Sequence, residues 1–176
     1  LKLLAYQIGS QVSLTELGSS LDMSKDTVAR YIDLLEKSFI IFRLKGLSRN
    51  LRKEVYKTDK IFFHDLGVRN IIIDNLKPLN SRNDIGQLWE NFLIYERVKY
   101  LAYTLIPTTT YFWRTYTGAE MDYVEERSGR LTGHEFKWGK KNIRLPASWQ
   151  ATYPGSAQIV VDKSNYLDFI SHSNNL

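Results

Sequence analysis

Cysteine is absent from the 176 residues of the chain. Its absence excludes a disulfide scaffold and a cysteine-ligated zinc site, and it fits the reducing cytoplasm, where we expect the protein. No run of about 18 apolar residues occurs either, so we expect no membrane span. The chain begins at Leu1 rather than methionine, with no signal-peptide pattern after it. We therefore expect a fragment of a longer protein or a processed chain.

The chain does contain enough apolar material for a folded core. Hydrophobic residues make up 43% and aromatic residues 13%, which argues against disorder. The length allows one ordinary domain or two small ones.

The positive charge is concentrated in one stretch. The net charge is +5, and residues 43–60 hold seven basic and two acidic residues, which accounts for the whole excess. A concentrated basic stretch suits a polyanion such as DNA or RNA. On charge alone, a solvated surface loop is the more common explanation.

The first module, residues 1–80, begins with two helical patterns. Leucines recur at spacings of three and four in 14–21, which predicts a short helix. Ser24 is a suitable N-cap for a second, amphipathic helix that runs to about Lys37. Two helices joined by a brief turn form a helix-turn-helix.

A β-rich segment follows the second helix. The basic loop 46–53 separates its runs, which lie at 39–44, 55–57 and 60–63. Helix, turn, helix and β-wing together predict that residues 1–80 form a winged helix-turn-helix.

If this module binds DNA, its second helix enters the major groove. Three residues lie off the apolar stripe of that helix and would read bases or contact phosphate: Lys25, Thr27 and Arg30. The wing would contact phosphate, which gives affinity without sequence preference. Its contact residues would be Arg49, Arg52 and Lys53.

The alternative is that the winged helix docks on a protein or on a neighbouring domain. Three acidic residues dilute the positive face of its second helix: Asp26, Asp33 and Glu36. The charge pattern leaves DNA contact and docking both open.

Residues 85–176 form the second module, after a linker at 77–84 that is rich in turn-forming residues. A long helical pattern covers 85–103 and is apolar over much of its circumference, so we expect it to pack on a sheet. Glu90 lies in its first turns. The period then changes to that of strands, at 109–115, 119–126 and 131–138.

The last two of these strands are predicted to form a hairpin around Ser128 and Gly129. Side chains that face each other in a hairpin lie on one side of the sheet. A two-residue turn gives the facing pairs Arg127 with Arg130, Asp122 with Glu135, and Glu120 with Lys137. The opposite side is expected to be core, with Met121, Tyr123, Phe136 and Trp138.

The polar side of the hairpin has the composition of a metal site. Neighbouring carboxylates repel, so in a partly buried site one is protonated unless a cation lies between them. Mg²⁺ takes one or two carboxylates, with waters and substrate phosphate as its other ligands. Asp122 and Glu135 are therefore candidate Mg²⁺ ligands, and Lys137 can orient or deprotonate a metal-bound water. The alternative is an exposed salt-bridge ladder of Glu120 with Lys137, which is the commoner explanation for an arbitrary hairpin.

The order of elements shifts the balance towards a site. The helix with Glu90 precedes three strands, a short helical region at 147–152 and an apolar strand at 157–162. This α-β-β-β-α-β order resembles the PD-(D/E)XK, or restriction-endonuclease-like, phosphodiesterase fold. The resemblance implies an α+β or α/β domain whose catalytic residues are Glu90, Asp122, Glu135 and Lys137.

Five short stretches carry a second resemblance: 24–31 (SKDTVARY), 62–67 (FFHDLG), 86–92 (GQLWENF), 119–124 (AEMDYV) and 134–137 (HEFK). In this order they resemble the C-terminal region of bacterial and archaeal AAA+-type ATPases. The resemblance implies a winged helix followed by a nuclease-like domain, behind an N-terminal ATPase domain that would be its partner. This chain has no G-x-x-x-x-G-K-[ST] motif, and so no ATP site of that kind.

The sequence leaves three functions open. The first is a Mg²⁺-dependent nuclease in which Glu90 is an auxiliary ligand. The second is a non-catalytic module of an ATPase that binds nucleic acid, DNA rather than RNA. The third is a protein-docking module, because nuclease-like folds also serve in binding alone.

Overall fold

The computed structural model describes residues 1–49, 58–139 and 145–171. Within them the α-helices are α1 (Lys2–Tyr6), α2 (Leu14–Leu21), α3 (Lys25–Lys37), α4 (Leu66–Ile72), α5 (Ile85–Thr104), α6 (Ala147–Thr152) and α7 (Tyr166–Ser171). The strands are β1 (Ile41–Gly46), β2 (Lys60–Phe63), β3 (Thr109–Arg114), β4 (Glu120–Arg127), β5 (Arg130–Phe136) and β6 (Ala157–Val161). A short 3₁₀ helix, Leu79–Ser81, lies in the predicted linker. Arg52, Lys53 and the predicted strand 55–57 lie outside the described residues.

One six-stranded mixed sheet, in the order β2-β1-β3-β4-β5-β6, runs through both halves of the chain. β3, β4 and β5 form an antiparallel meander, and β6 pairs parallel to β5. β1 pairs antiparallel with β2 and parallel with β3, so the strands of the N-terminal half extend the sheet of the C-terminal half. The fold is therefore mixed α+β. In the described residues, no helix combines the length and the apolar character needed to cross a bilayer.

The predicted pair of N-terminal helices is confirmed. Ser24 caps α3, because its hydroxyl oxygen accepts a hydrogen bond from the Thr27 backbone N–H at 3.1 Å. A Cβ on Gly18 would lie 2.6 Å from the Met23 carbonyl oxygen, so the turn between α2 and α3 requires glycine at that position. α1 was not predicted, because its five residues are too few to show a helical period.

The strand predicted at 39–44 begins later, at Ile41. Phe39 takes a left-handed conformation with φ +55°, and the Ile40 N–H donates to the Leu35 carbonyl. Both residues therefore complete the end of α3 instead of opening a strand. The apolar run 39–42 does not show where the helix ends and the strand begins, because residues of both elements belong to the run.

Three apolar cores hold the elements together. The N-terminal core includes Leu4, Ile8, Val28, Ile32 and Phe63. The second core, which includes residues of α5 and α7, contains Leu93, Ile94, Tyr123, Phe136 and Phe169. The third core, which includes residues of α6, contains Trp113, Met121, Leu131, Trp149 and Tyr153.

β4 and β5 form the predicted hairpin. Ser128 and Gly129 have φ angles of +48° and +79°, a pair of left-handed residues that gives a turn matched to the twist of the strands. Arg127 pairs with Arg130, and the same register continues up to Tyr123. The predicted turn is confirmed, and so is the register over this part of the hairpin.

β4 contains a β-bulge between Met121 and Val124. Their partners in β3 are Trp113 and Tyr111, so a two-residue step in β3 is matched by a three-residue step in β4. A bulge inserts one residue and breaks the alternation of side chains along the strand. Asp122 lies within this irregular segment.

The bulge corrects one prediction from the sequence. Met121 and Tyr123 were expected to share one core face, and this is wrong: Met121 belongs to the third core and Tyr123 to the second. That prediction assumed that side chains alternate strictly between the two faces of β4, and the extra residue of the bulge breaks this alternation.

Candidate functional site

The structure gathers the four predicted catalytic residues at one place. Glu90 lies in the second turn of α5, Asp122 in the bulge of β4, Glu135 near the end of β5, and Lys137 just after it. The charges of Glu90 and Glu135 act on Asp122, and those of Glu90 and Asp122 act on Lys137. Glu90 of α5 thus lies close to residues of the hairpin that follow it by more than 30 positions in the sequence.

Hydrogen bonds fix the carboxylates of the hairpin. The Phe136 backbone N–H donates to Asp122 Oδ2 at 2.8 Å, which holds Asp122 beside the end of β5. Lys137 Nζ donates to Glu135 Oε1 at 2.5 Å. Glu120 does not pair with Lys137, so the alternative of a Glu120–Lys137 ladder is wrong.

Glu120 pairs instead with a lysine whose sequence context does not indicate a site residue. Lys60 of β2 has its Nζ 2.6 Å from Glu120 Oε1 and donates to Glu90 Oε1 at 3.0 Å. It is only 3% exposed. The one sequence signal was its position at the start of an apolar strand, and the surrounding basic stretch masked that signal. We call Lys60, Glu90, Glu120, Asp122, Glu135 and Lys137 the acidic site.

Two carboxyl groups of the acidic site, those of Asp122 and Glu90, resist ionisation. Burial, followed by the charges of Glu90 and Glu135, raises the pKa of Asp122 to about 8. Burial also raises the pKa of Glu90, although Lys60 opposes it. Without a further cation, the site therefore holds a proton at neutral pH.

Both lysines stay charged. Burial by itself lowers the pKa of Lys60, but Glu90, Glu120 and Asp122 together raise it above its ordinary value. Burial likewise acts to lower the pKa of Lys137, but the hydrogen bond to Glu135 and the charges of Glu135, Asp122 and Glu90 together raise this pKa above its ordinary value. At neutral pH, Lys137 is thus a positively charged hydrogen-bond donor and not a base.

The donor set of the acidic site fits a hard divalent cation. Four carboxylates face two ammonium groups and the guanidinium group of Arg114, which lies 3.9 Å from Glu120, so full ionisation leaves a net negative charge that favours a cation. In residues 1–49, 58–139 and 145–171, no three acidic or histidine side chains are arranged to hold a metal by themselves. A Mg²⁺ here would rest on Asp122 and Glu135 and take its other ligands from water and phosphate.

The residues predicted to contact DNA are divided between two places. Lys25 and Arg30 are exposed on α3, and the Thr27 hydroxyl is engaged with Ser24 at 2.8 Å. Arg49 forms an ion pair with Glu126 of β4. The residues of the wing tip, Arg52 and Lys53, lie outside the described part of the chain.

Two of the three acidic residues of α3 are partly compensated by one arginine. Arg43 of β1 contacts Asp33 at 3.0 Å and Glu36 at 2.5 Å. They therefore weaken the positive surface of α3 less than their number suggests.

A cleft of about 970 Å³ lies beside the third core, away from the acidic site. Its walls include Arg130, Tyr116 and Tyr153, and none of the six residues of the acidic site lines it. The concentration of charge, and not the concavity of the surface, therefore marks the candidate site.

Comparisons with known proteins give families without an assigned activity. Residues 85–173 match the family described as a domain of unknown function (DUF4143), and residues 1–79 match another described as a domain of unknown function (DUF8612). Uncharacterised proteins of Mycobacterium bovis and Mycobacterium tuberculosis are each 34% identical over 137 residues. That stretch is 77% of this chain and 30% of either relative, so the chain spans less than a third of those proteins. No solved structure matches the chain.

Proposed function

The chain belongs to the DUF4143 family, and from its acidic site we propose that it cleaves phosphodiester bonds of nucleic acid with Mg²⁺. The observation that carries the proposal is the convergence of Glu90, Asp122, Glu135 and Lys137, from one helix and two strands, on a site whose carboxyl groups outnumber its cationic groups. We further propose that the chain is the cytoplasmic C-terminal region of an AAA+-type ATPase, whose ATPase domain is its partner.

The order of elements supports a nuclease-like fold for the second module. α5, β3, β4, β5, α6 and β6 follow the α-β-β-β-α-β order, with an antiparallel meander and a parallel last strand. α2, α3, β1 and β2 have the order of a winged helix, which supports a nucleic-acid-binding role for the first module. The larger size of the relatives supports a longer parent protein.

Each residue of the site has a role in the proposed reaction. Asp122 and Glu135 would hold Mg²⁺, which when bound activates water and stabilises the charge that develops on phosphate. Lys137 is held by Glu135 in its charged form and would donate to the attacking water or to a phosphate oxygen. Glu90 would act through Lys60, from whose ammonium group it accepts a hydrogen bond.

Plasmid nicking tests the proposal directly. We expect the wild-type protein to nick supercoiled DNA with Mg²⁺ or Mn²⁺ and to stop when EDTA is added. Lys137→Met should slow nicking on the order of 100-fold, the low end of what a positioned proton donor contributes. Glu96→Gln, a change on the exposed side of α5, is the matched control and should nick like the wild type. No metal-dependent nicking, or equal nicking by Lys137→Met, would refute the proposal.

A second candidate function is DNA binding without cleavage. It is favoured by the exposure of Lys25 and Arg30 on α3, and by Arg43, which offsets part of the negative charge of Asp33 and Glu36 on the same helix. We expect Lys25→Ala and Arg30→Ala each to lower the slope of log K against log salt by about one, because each removes one phosphate contact.

Fluorescence anisotropy with a labelled duplex between about 50 and 200 mM salt measures this slope. Lys37→Ala, at the other end of α3, is the control and should leave the slope unchanged. Binding that survives Asp122→Asn in the absence of nicking would select this second function. If no duplex is bound at low salt, the module docks on protein instead.

A further inference from the structure

Lys60 is the most enclosed charge of the acidic site. Its Nζ bridges Glu90 and Glu120 at 3.0 and 2.6 Å, and its side chain is 4% exposed. The Phe112 ring lies below the ammonium group, 5.5 Å from Nζ to the ring centroid. The group is therefore enclosed by two carboxylates and an aromatic face, and it is not oriented towards a substrate in solvent.

The first module contributes Lys60 to the acidic site, and other residues of this module lie beside the lysine and its partner Glu90. Gln11 pairs with Lys60 in an isolated β-bridge, and its side chain accepts a hydrogen bond from Arg114 at 3.2 Å. A Cβ on Gly9 would lie 3.3 Å from Glu90 Oε2, so the backbone of the first module runs directly beside that carboxylate. Lys60 lies within residues 1–79, outside the stretch that matches the DUF4143 family.

We infer that the ammonium group of Lys60 takes the place of a second divalent cation, so that the acidic site binds one metal ion and not two. Glu90 and Glu120 form a carboxylate pair of the kind that otherwise recruits a cation. Lys60 supplies that cation from within the chain. In two-metal phosphodiesterase sites the second ion stabilises the leaving oxygen, and it also offsets the charge of its carboxylate ligands. Here Lys60 offsets part of that carboxylate charge before any ion binds.

The charge of the site supports a single ion. With Lys60 and Arg114 in place, one divalent ion on Asp122 and Glu135 is enough to offset the negative charge that remains on the site. A second ion would leave an excess of positive charge in a partly buried place, which is unfavourable without further acidic ligands. Removing Lys60 leaves Glu90 and Glu120 without the ammonium group between them, and only Arg114, 3.9 Å from Glu120, stays as a described cationic partner of the pair.

The number of bound ions tests the inference without any measurement of cleavage. Isothermal titration of the metal-free chain with Mn²⁺ is expected to give one ion for the wild type and for Lys60→Arg, and two for Lys60→Met. In the electron paramagnetic resonance spectrum, the second ion of Lys60→Met should appear as spin coupling between neighbouring Mn²⁺ ions.

The outcomes separate this inference from the proposed function, on which it rests. Two ions in the wild type, or one ion in both the wild type and Lys60→Met, would overturn the role of Lys60 and leave the proposed metal site intact. No ion in the wild type and at least one in Lys60→Met would refute the proposed function and the count of one ion, and it would leave Lys60 as the occupant of a cation position. No ion in either protein would overturn both.

A second variant covers the case in which Lys60→Met does not fold. Glu90→Gln keeps an acceptor for Lys60, and it should still bind one Mn²⁺, with a smaller loss of affinity than Asp122→Asn, because it removes a neighbouring charge and not a ligand. Asp122→Asn should lose at least about tenfold in the same titration, because it removes a direct ligand. An equal loss in both variants would make Glu90 a metal ligand and would overturn the inference.

Discussion

Arg97→Met is expected to lower the free energy of unfolding by about 3–5 kcal/mol, the cost of removing one partner from a buried ion pair. Arg97 is fully buried and Glu125 is 3% exposed. The guanidinium group donates to both carboxylate oxygens of Glu125, at 2.6 and 3.1 Å, and to the Phe169 carbonyl at 2.6 Å. It therefore joins α5, β4 and α7, and its loss leaves Glu125 with Arg127 as a weaker partner, at 2.9 Å.

Urea denaturation followed by circular dichroism measures this cost. Lys99→Met is the matched control: it lies on the same helix, in a Glu96–Lys99 pair whose side chains are about one-third exposed. Exposed pairs contribute less than about 1 kcal/mol, so the control should lose little stability. The double variant Arg97→Met, Glu125→Met should be more stable than Arg97→Met alone, because it no longer buries a carboxylate that has lost its main partner. Equal losses for Arg97→Met and Lys99→Met would show that the buried pair has no special weight.

The same pair shows what the sequence does not reveal. Glu125 follows the alternation of β4, and a carboxylate in a hairpin strand has no local mark of burial. Its partner is 28 residues away on α5. Periodicity describes one element at a time, so it predicts which residues form α5 and β4 but not which polar groups meet between them.

Local chemistry, in contrast, predicted the hairpin well. Ser128 and Gly129 tolerate positive φ, and a two-residue turn determines the register, which the structure has from Arg127 to Tyr123. The alternation failed at Asp122, because a bulge depends on how β3 pairs with β4.

The acidic site was only partly predictable for a similar reason. Asp122, Glu135 and Lys137 come from one hairpin, so counting along two strands brings them together. Lys60 reaches them through the pairing of β1 with β2 and β3, which connects segments with no common local pattern. Lys60 also lies in a basic stretch, and a lysine among other lysines and arginines is ordinarily expected to be exposed on the surface.

The acidic site leads to a second large expected effect, on the pH dependence of metal binding. The pKa of Asp122 is raised to about 8 by burial and by the charges of Glu90 and Glu135. A metal ion that binds Asp122 must therefore displace a proton below that pH. We expect the affinity for Mn²⁺ to rise about tenfold per pH unit, and so about 100-fold from pH 6 to pH 8, and to level off above pH 8.

Titration calorimetry in buffers of different ionisation enthalpy counts the protons released. The wild type should release about one proton per ion near pH 6 and almost none above pH 9. Asp122→Asn should bind weakly and show no such slope, while Asp26→Asn, an exposed change on α3, should behave like the wild type. A flat profile in the wild type would show that Asp122 is ionised before the metal arrives.

The metal-free protein gives an independent measure of the same group. The raised pKa means that the folded chain keeps a proton on Asp122 between about pH 4 and pH 8, where the unfolded chain has released it. The free energy of unfolding should therefore fall as pH rises through this range, and Asp122→Asn should remove that part of the fall. Because Mn²⁺ replaces the proton, its addition should restore most of the lost stability at pH 8 in the wild type and little of it in Asp122→Asn.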